Sequence, residues 1–178
     1  AINLTGKLNP KKGGPSIYTD VPQEVRATAP RPHAAWGNSP EAERNRRSVY
    51  IVIRRSLHEP ILKTFDMADT DGHCSVRFSS ILPTQSLTML NSKFFNEIAI
   101  GFANRVRKEA GGNTRKQVER ALQLAFNREV TAKEIETGEA AFKKLSSLAS
   151  KRQNVRAGNP LERFCLMALN LNEFVFVD

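Results

Sequence analysis

The chain has 178 residues, 40% of them hydrophobic, enough for one ordinary domain with a buried core, and no apolar run approaches the roughly eighteen residues a membrane-spanning helix needs. It carries 27 Lys+Arg against 18 Asp+Glu, a net charge of +9, so an anionic partner has to be considered. The excess is spread out: +6 over residues 1–58, −2 over 59–100 and +5 over 101–178, with no dense basic run of the kind that tracks nucleic acid. The two cysteines, Cys74 and Cys165, form no C-x-x-C or C-x-x-C-H, which excludes a zinc ribbon and a covalently attached c-type haem built from this chain alone. Both are expected to be buried thiols, since a core of this size needs no staple.

Residues 1–47 are punctuated by Pro10, Pro15, Pro22, Pro30, Pro32 and Pro40 and by Gly6, Gly13, Gly14 and Gly37, which break any helical period. We expect an extended wrap, anchored by Ile17, Tyr18, Val21, Val25 and Trp36, leading into a domain over 48–178. The chain opens without methionine and as if in mid-element, which fits one part of a larger multidomain protein. A short helix is expected after Asn38 and Ser39, with Pro40 in its first turn and Glu41 and Glu43 at its positive end. SVYIVIRRS, residues 48–56, reads as a strand covered on both faces, with the closing FVFVD of 174–178 as its candidate partner.

From Pro83 the period becomes helical. PTQSLTMLN places Leu87 and Leu90 on one face, and Asn91-Ser92 offers a cap for a helix that carries Phe94, Ile98, Phe102, Ala103 and Val106 inward. Gly111-Gly112 stops it, Asn113-Thr114 restarts it, and Val118, Ala121, Leu122, Ala125 and Phe126 form the next stripe. Thr131 to Glu134 is a capping box that opens a helix with Ile135, Phe142, Leu145 and Leu148 on its apolar side. Asn159-Pro160 opens the last helix, rich in Phe164, Leu166, Met167, Leu169 and Leu171 and therefore central. The expected fold is mainly α: a bundle of about five helices with the N-terminal wrap and one short β element.

Chemistry, if any, would concentrate in FDMADTDGHC, residues 65–74. A calcium loop needs D-x-D-x-D-G closed by a glutamate, and Asp69-Thr-Asp71-Gly72 supplies half of that. Soft-metal binding would use His73 and Cys74, but adjacent residues on an extended chain point apart and a second ligand pair is not near, His33, His58 and Cys165 being distant. No metal site is expected; Asp69, Asp71, His73 and Cys74 are the residues that would form one. A Cys–His nucleophile lacks a third group to orient it, and neither a phosphate-cradling G-x-x-x-x-G-K-[ST] nor a serine elbow occurs. The better reading is structural. Arg46-Arg47 and Arg54-Arg55 bracket the strand while Asp66, Asp69 and Asp71 return soon after, and arginine pairs carboxylates bidentately. We expect a polar cluster of Arg47, Arg54, Arg55, Asp66, Arg77 and Gln85, with no catalytic residue, in which Gln85 bonds backbone groups, Asp66 is the important carboxylate and Asp69 and Asp71 are more exposed.

LTGKLNPKKGGPSIY, RRSVYIVIRRS, PILKTFD, Cys74-x-x-Arg77, PTQSLTMLN and LMALNLNEFVFVD, taken in this order, resemble the C-terminal part of the planctomycete secreted domain of unknown function 1553. Asp66, Cys74, Arg77 and Gln85 fall on that family's pattern; Asp71 and His73 do not clearly do so. The resemblance spans nearly the whole chain and implies no established activity. It implies instead an exported planctomycete-type protein, periplasmic or extracellular, with a domain upstream and often a cytochrome-c-like domain at its front, so that any haem belongs to another segment and this chain holds no cofactor. Two functions are then expected: a noncatalytic module that docks on upstream domains of the same protein, with an anionic polysaccharide as a further partner, or part of a hydrolytic or redox enzyme whose site those domains complete. Nucleic acid is disfavoured, because two tyrosines and one tryptophan leave little for base stacking.

Overall fold

The structure, a computed structural model, describes residues 1–31, 34–68, 70, 72–73, 80–151 and 159–176, with residues 149–151 as backbone only. Arg77, Asp69, Asp71 and Cys74 lie outside the described residues. Mainly helical is the correct class. The helices are α1 (Gln23–Ala27), α2 (Glu41–Arg44), α3 (Pro60–Thr64), α4 (Pro83–Asn91), α5 (Lys93–Ala110), α6 (Thr114–Phe126), α7 (Ala132–Lys151), α8 (Pro160–Leu169) and α9 (Asn172–Val175). They fall into two compact units, one of residues 1–7 with 89–178, the other of residues 8–88, with α4 running from one into the other.

The larger unit is a bundle of α5 to α8. Its helix ends follow from side chains that satisfy first-turn N–H groups: Ser92 accepts from Phe95 N–H, Asn113 from Lys116 N–H and Asn159 from Leu161 N–H. The box at Thr131 closes both ways, with Thr131 N–H donating to Glu134 Oε2 at 2.8 Å and Glu134 N–H to Thr131 Oγ1 at 3.3 Å. Gly111, at φ 68°, ends α5 in a conformation that an L side chain rarely adopts. Buried Phe95, Ile98, Phe102, Ala103 and Val106 of α5 face α8, whose Leu161, Phe164, Cys165, Ala168 and Leu169 are buried in turn, so α8 is the central helix. A 3-10 turn at Ile2–Thr5 packs Leu4 against α5, and Arg105 donates to the carbonyls of Asn3 and Leu4.

Helices α6 and α7 approach closely because position 138 is a glycine. A Cβ there would lie 2.5 Å from Val118 Cγ1 and 3.5 Å from the Phe164 ring. Gly138→Ala would gain about 1 kcal/mol of helix propensity, but overpacking outweighs it, and we expect a net loss of about 1–2 kcal/mol in chemical denaturation. Adding Val118→Ala should return part of that loss; equal losses in both backgrounds would show that the contact does not set the approach.

The smaller unit has its own core. Val21, Ala29, Ala35, Trp36 and Leu57 are buried together, with Tyr18, Val25 and Val52 against them. The indole Nε1 donates to Thr19 O at 2.8 Å, and the Tyr18 ring meets Trp36 edge-on at 5.7 Å. The anchors of the N-terminal segment thus form a core of their own.

Three expectations are corrected. Residues 48–56 are not a strand covered on both faces: Ser48–Tyr50 is a 3-10 turn, and Val49 and Ile53 are 73% and 63% exposed. Among the described residues the β pairing is two isolated parallel bridges, Asn9 with Arg46 and Ile17 with Ile51, the latter with Ile17 N–H on Tyr50 O at 2.8 Å and Val52 N–H on Ile17 O at 2.9 Å. The Ile17 bridge does not lengthen toward the N-terminus because Pro15 has no N–H and Gly13 and Gly14 hold positive φ. Of the expected partner, residues 174–178, Phe174 and Val175 lie in α9, and 177 and 178 lie outside the described residues. Finally, Leu87 and Leu90 are 55% and 44% exposed, whereas Gln85 and Met89 are buried, so α4 is rotated from the face its leucines suggest, and Leu148 of α7 is exposed as well.

Candidate functional site

The stretch around Phe65 and Asp66 follows α3. Glu59 caps that helix, accepting from Leu62 N–H at 2.8 Å, with Pro60 in the first turn where a missing N–H costs nothing. Glu59 is buried, and burial pushes its carboxyl above the usual range against the opposing pull of the Leu62 and Ile61 N–H groups. His58 Nε2 lies 3.0 Å from Thr70 Oγ1, which ties the segment before α3 to the loop after it.

Asp66 is half-buried and sits at φ 56°. Its carboxylate accepts from Ser80 N–H at 2.7 Å and from Ser80 Oγ at 2.9 Å, so it ties the end of α3 to the residues just before α4. Gln85 is buried and fastens the same two stretches: Nε2 donates to Thr64 O at 3.2 Å and Ser80 O at 3.0 Å, while Oε1 accepts from Leu82 N–H at 3.2 Å. That last bond reproduces the backward half of a capping box, and it fixes the rotation of α4. A buried amide whose polar atoms find backbone partners is more stable inward than a leucine whose alternative is only partial exposure.

The arginines divide by role. Arg54 donates to Ala34 O at 2.9 Å, to Ala35 O at 3.2 Å and to the Tyr18 hydroxyl at 3.3 Å, so it binds mainly backbone. Arg47 and Arg55 are exposed. Arg46, by contrast, has a fully buried side chain: it donates to Pro15 O at 3.2 Å and to Gly13 O, approaches Glu43 Oε2 at 3.5 Å and stacks 3.8 Å above the Tyr50 ring. The sequence offered little to choose between Arg46 and Arg47; Tyr50, one helical turn beyond Arg46, was the available signal. Of the residues weighed as metal ligands, His73 is exposed, and among the described residues no three His, Cys, Asp or Glu side chains converge on one point. Cys165 is a buried free thiol whose pKa burial pushes up to about 12.

Alanine at Asp66 is expected to cost about 2 kcal/mol, the scale of losing hydrogen bonds to a charged acceptor. Asp66→Asn should cost least, because asparagine keeps an acceptor and tolerates positive φ, and Asp66→Gly should cost less than Asp66→Ala. An alanine variant as stable as the glycine one would remove the backbone from this account.

In the bundle unit a cleft of about 880 Å³ opens among α6, α7, α8 and α9. Leu122, Phe126, Gly138, Phe164 and Met167 form its apolar wall. At its rim Arg128 bonds Glu173 at 2.6 Å and Glu134 at 2.7 Å, and with the Thr131 hydroxyl and N–H it holds the Glu134 carboxyl down to about 2. A carboxylate whose folded pKa lies below its ordinary 4.5 stabilises the fold above that value and stops doing so as pH falls through about 2. Glu134→Gln, which keeps the capping bond, should therefore differ most in melting temperature from wild type above pH 5 and converge with it toward pH 2, with salt shrinking the gap at this exposed triad. A gap that widens on acidification would contradict the pairing.

Comparison with curated proteins and with solved structures finds no match. A family model does match, over residues 1–142, and so reaches across both the Asp66 loop and most of α7. The chain belongs to the PSD1 family, described as protein of unknown function (DUF1553).

Proposed function

We propose that the chain is a noncatalytic interaction module of a secreted, planctomycete-type multidomain protein, acting in the periplasm or outside the cell. It docks on other domains of that protein, a haem-bearing cytochrome-c-like domain among them, and engages an anionic polysaccharide. One observation carries the reading: Asp66, Gln85 and Glu59, the polar groups around the stretch that most resembles a site, direct hydrogen bonds at the chain's own backbone, as Arg54 and Arg46 do elsewhere in the same unit. Groups so occupied position chain segments; a general base or nucleophile keeps an atom free for substrate. The net charge of +9 supports the anionic partner.

The test is binding of the purified chain to heparin and to duplex DNA across a salt series. Salt-sensitive retention on heparin with weaker retention on DNA is expected. Equal retention on both would favour a general polyanion binder, and turnover by the full-length protein that disappears in a folded Asp66→Ala variant would replace the module with an enzyme.

A further inference from the structure

This inference rests on the polysaccharide reading and gives it a location. Residues 9–17 are laid along residues 42–52. Asn9 N–H donates to Asn45 O at 3.0 Å and Asn9 Nδ2 to Ala42 O at 2.9 Å, Gly13 N–H donates to the Tyr50 hydroxyl at 3.1 Å, and Arg46 grips the carbonyls of Gly13 and Pro15 from below. The turn through Lys11-Lys12-Gly13-Gly14 is therefore fixed from both sides. Glycine at 13 and 14, with φ 70° and 84°, lets the backbone make it.

This packing brings the segment that carries Lys11 and Lys12 alongside the one that carries Arg44, Arg46 and Arg47, whose neighbouring acidic residues are Glu41 and Glu43. Glu43 is already taken: Lys11 Nζ lies 2.9 Å from it and Arg46 3.5 Å, and the Lys11 bond foremost holds its carboxyl below the usual range. Lys12 and Arg47 are exposed and Arg44 is half-buried. Among the described residues none of these three makes an ion pair or a side-chain hydrogen bond. Their cost of ordering is reduced beforehand by the clamped turn, and a guanidinium matches a tetrahedral oxyanion with two parallel donors.

A nucleic acid would also want aromatic faces for its bases. The nearby ones are occupied: Tyr50 lies under Arg46, and Tyr18 and Trp36 pack on each other. A sulfated sugar chain needs charge and hydrogen bonds without stacking. We propose that Lys12 of the 9–17 turn, together with Arg44 and Arg47 of the segment laid beside it, binds a sulfated polysaccharide.

The experiment uses the full chain and heparin as the probe. Lys12→Gln/Arg44→Gln/Arg47→Gln should weaken binding at low salt by at least about tenfold and lower the slope of log Kd against log salt by about three, roughly one per cation removed. Lys133→Gln/Lys143→Gln/Lys144→Gln, which removes the same charge from α7, should change both much less, and circular dichroism checks that the two variants fold alike. Equal losses in both triples would overturn the location while leaving the polysaccharide reading intact. No binding by wild type would overturn both. Desulfated heparin bound as tightly as heparin would overturn the assignment to sulfate, and duplex DNA bound more tightly, with the loss confined to the first triple, would make the surface a nucleic-acid site.

Discussion

Arg46→Ala is expected to destabilise the unit of residues 8–88 by about 3 kcal/mol, the scale of leaving buried carbonyls without their charged donor. The side chain is fully buried, and its loss strands the carbonyls of Gly13 and Pro15, removes the cation above Tyr50 and leaves a void of arginine size. Arg46→Lys keeps the charge but not the planar fork that reaches two carbonyls at once, and should recover less than half of the loss. Trp36, the only tryptophan, sits in the core of this unit, so its fluorescence during urea unfolding reports the change. Arg47→Ala is the matched control on an exposed side chain and should move the midpoint little. Similar shifts for the two would mean that the clamp contributes no more than a surface charge.

In the other unit the largest effect is expected at Phe164. It is fully buried on α8, 6.1 Å from the Phe142 ring and within reach of Gly138, where α7 and α8 meet. Phe164→Ala removes most of an aromatic side chain from a rigid helical interface, and the expected cost is about 4 kcal/mol by helical circular dichroism during denaturation. Phe164→Leu should cost under half as much, because it fills most of the volume. The same residue lines the cleft among α6 to α9. The void left by alanine would be continuous with that cleft, so an apolar molecule such as benzene should restore part of the alanine variant's stability and little of the wild type's. A cost below about 1 kcal/mol would place the load of this core elsewhere.

The bundle is legible in the sequence because its signals are local. A 3.6-residue apolar period together with Ser92, Asn113, Thr131 and Asn159 at helix starts identifies where α5 to α8 begin, and Gly111 where α5 ends. The region before Pro83 is less legible because its conformation depends on segments far apart in the chain. Val49 to Ile53 has strand composition, but a ladder needs a neighbour with regular N–H groups, and the segment that reaches it is interrupted by Gly13, Gly14 and Pro15. For α4, counting apolar residues favours Leu87 and Leu90, whereas the amide of Gln85 requires three backbone partners and turns the helix to reach them. Gln85 as a backbone-bonding group and Asp66 as a structural carboxylate could both be read from residue type and position. Ser80 as the partner of Asp66, and Arg46 in the clamp, depend on how the loops close.

We propose that FDMADTDGHC, of which Asp69, Asp71 and Cys74 lie outside the described residues, serves the scaffold and holds no ion. The most direct test is the melting temperature of the full chain, first in excess chelator and then with stoichiometric calcium or zinc. The account predicts the same melting temperature in all three. A rise with either metal that the chelator reverses would show that the folded state binds it preferentially, and would contradict the claim.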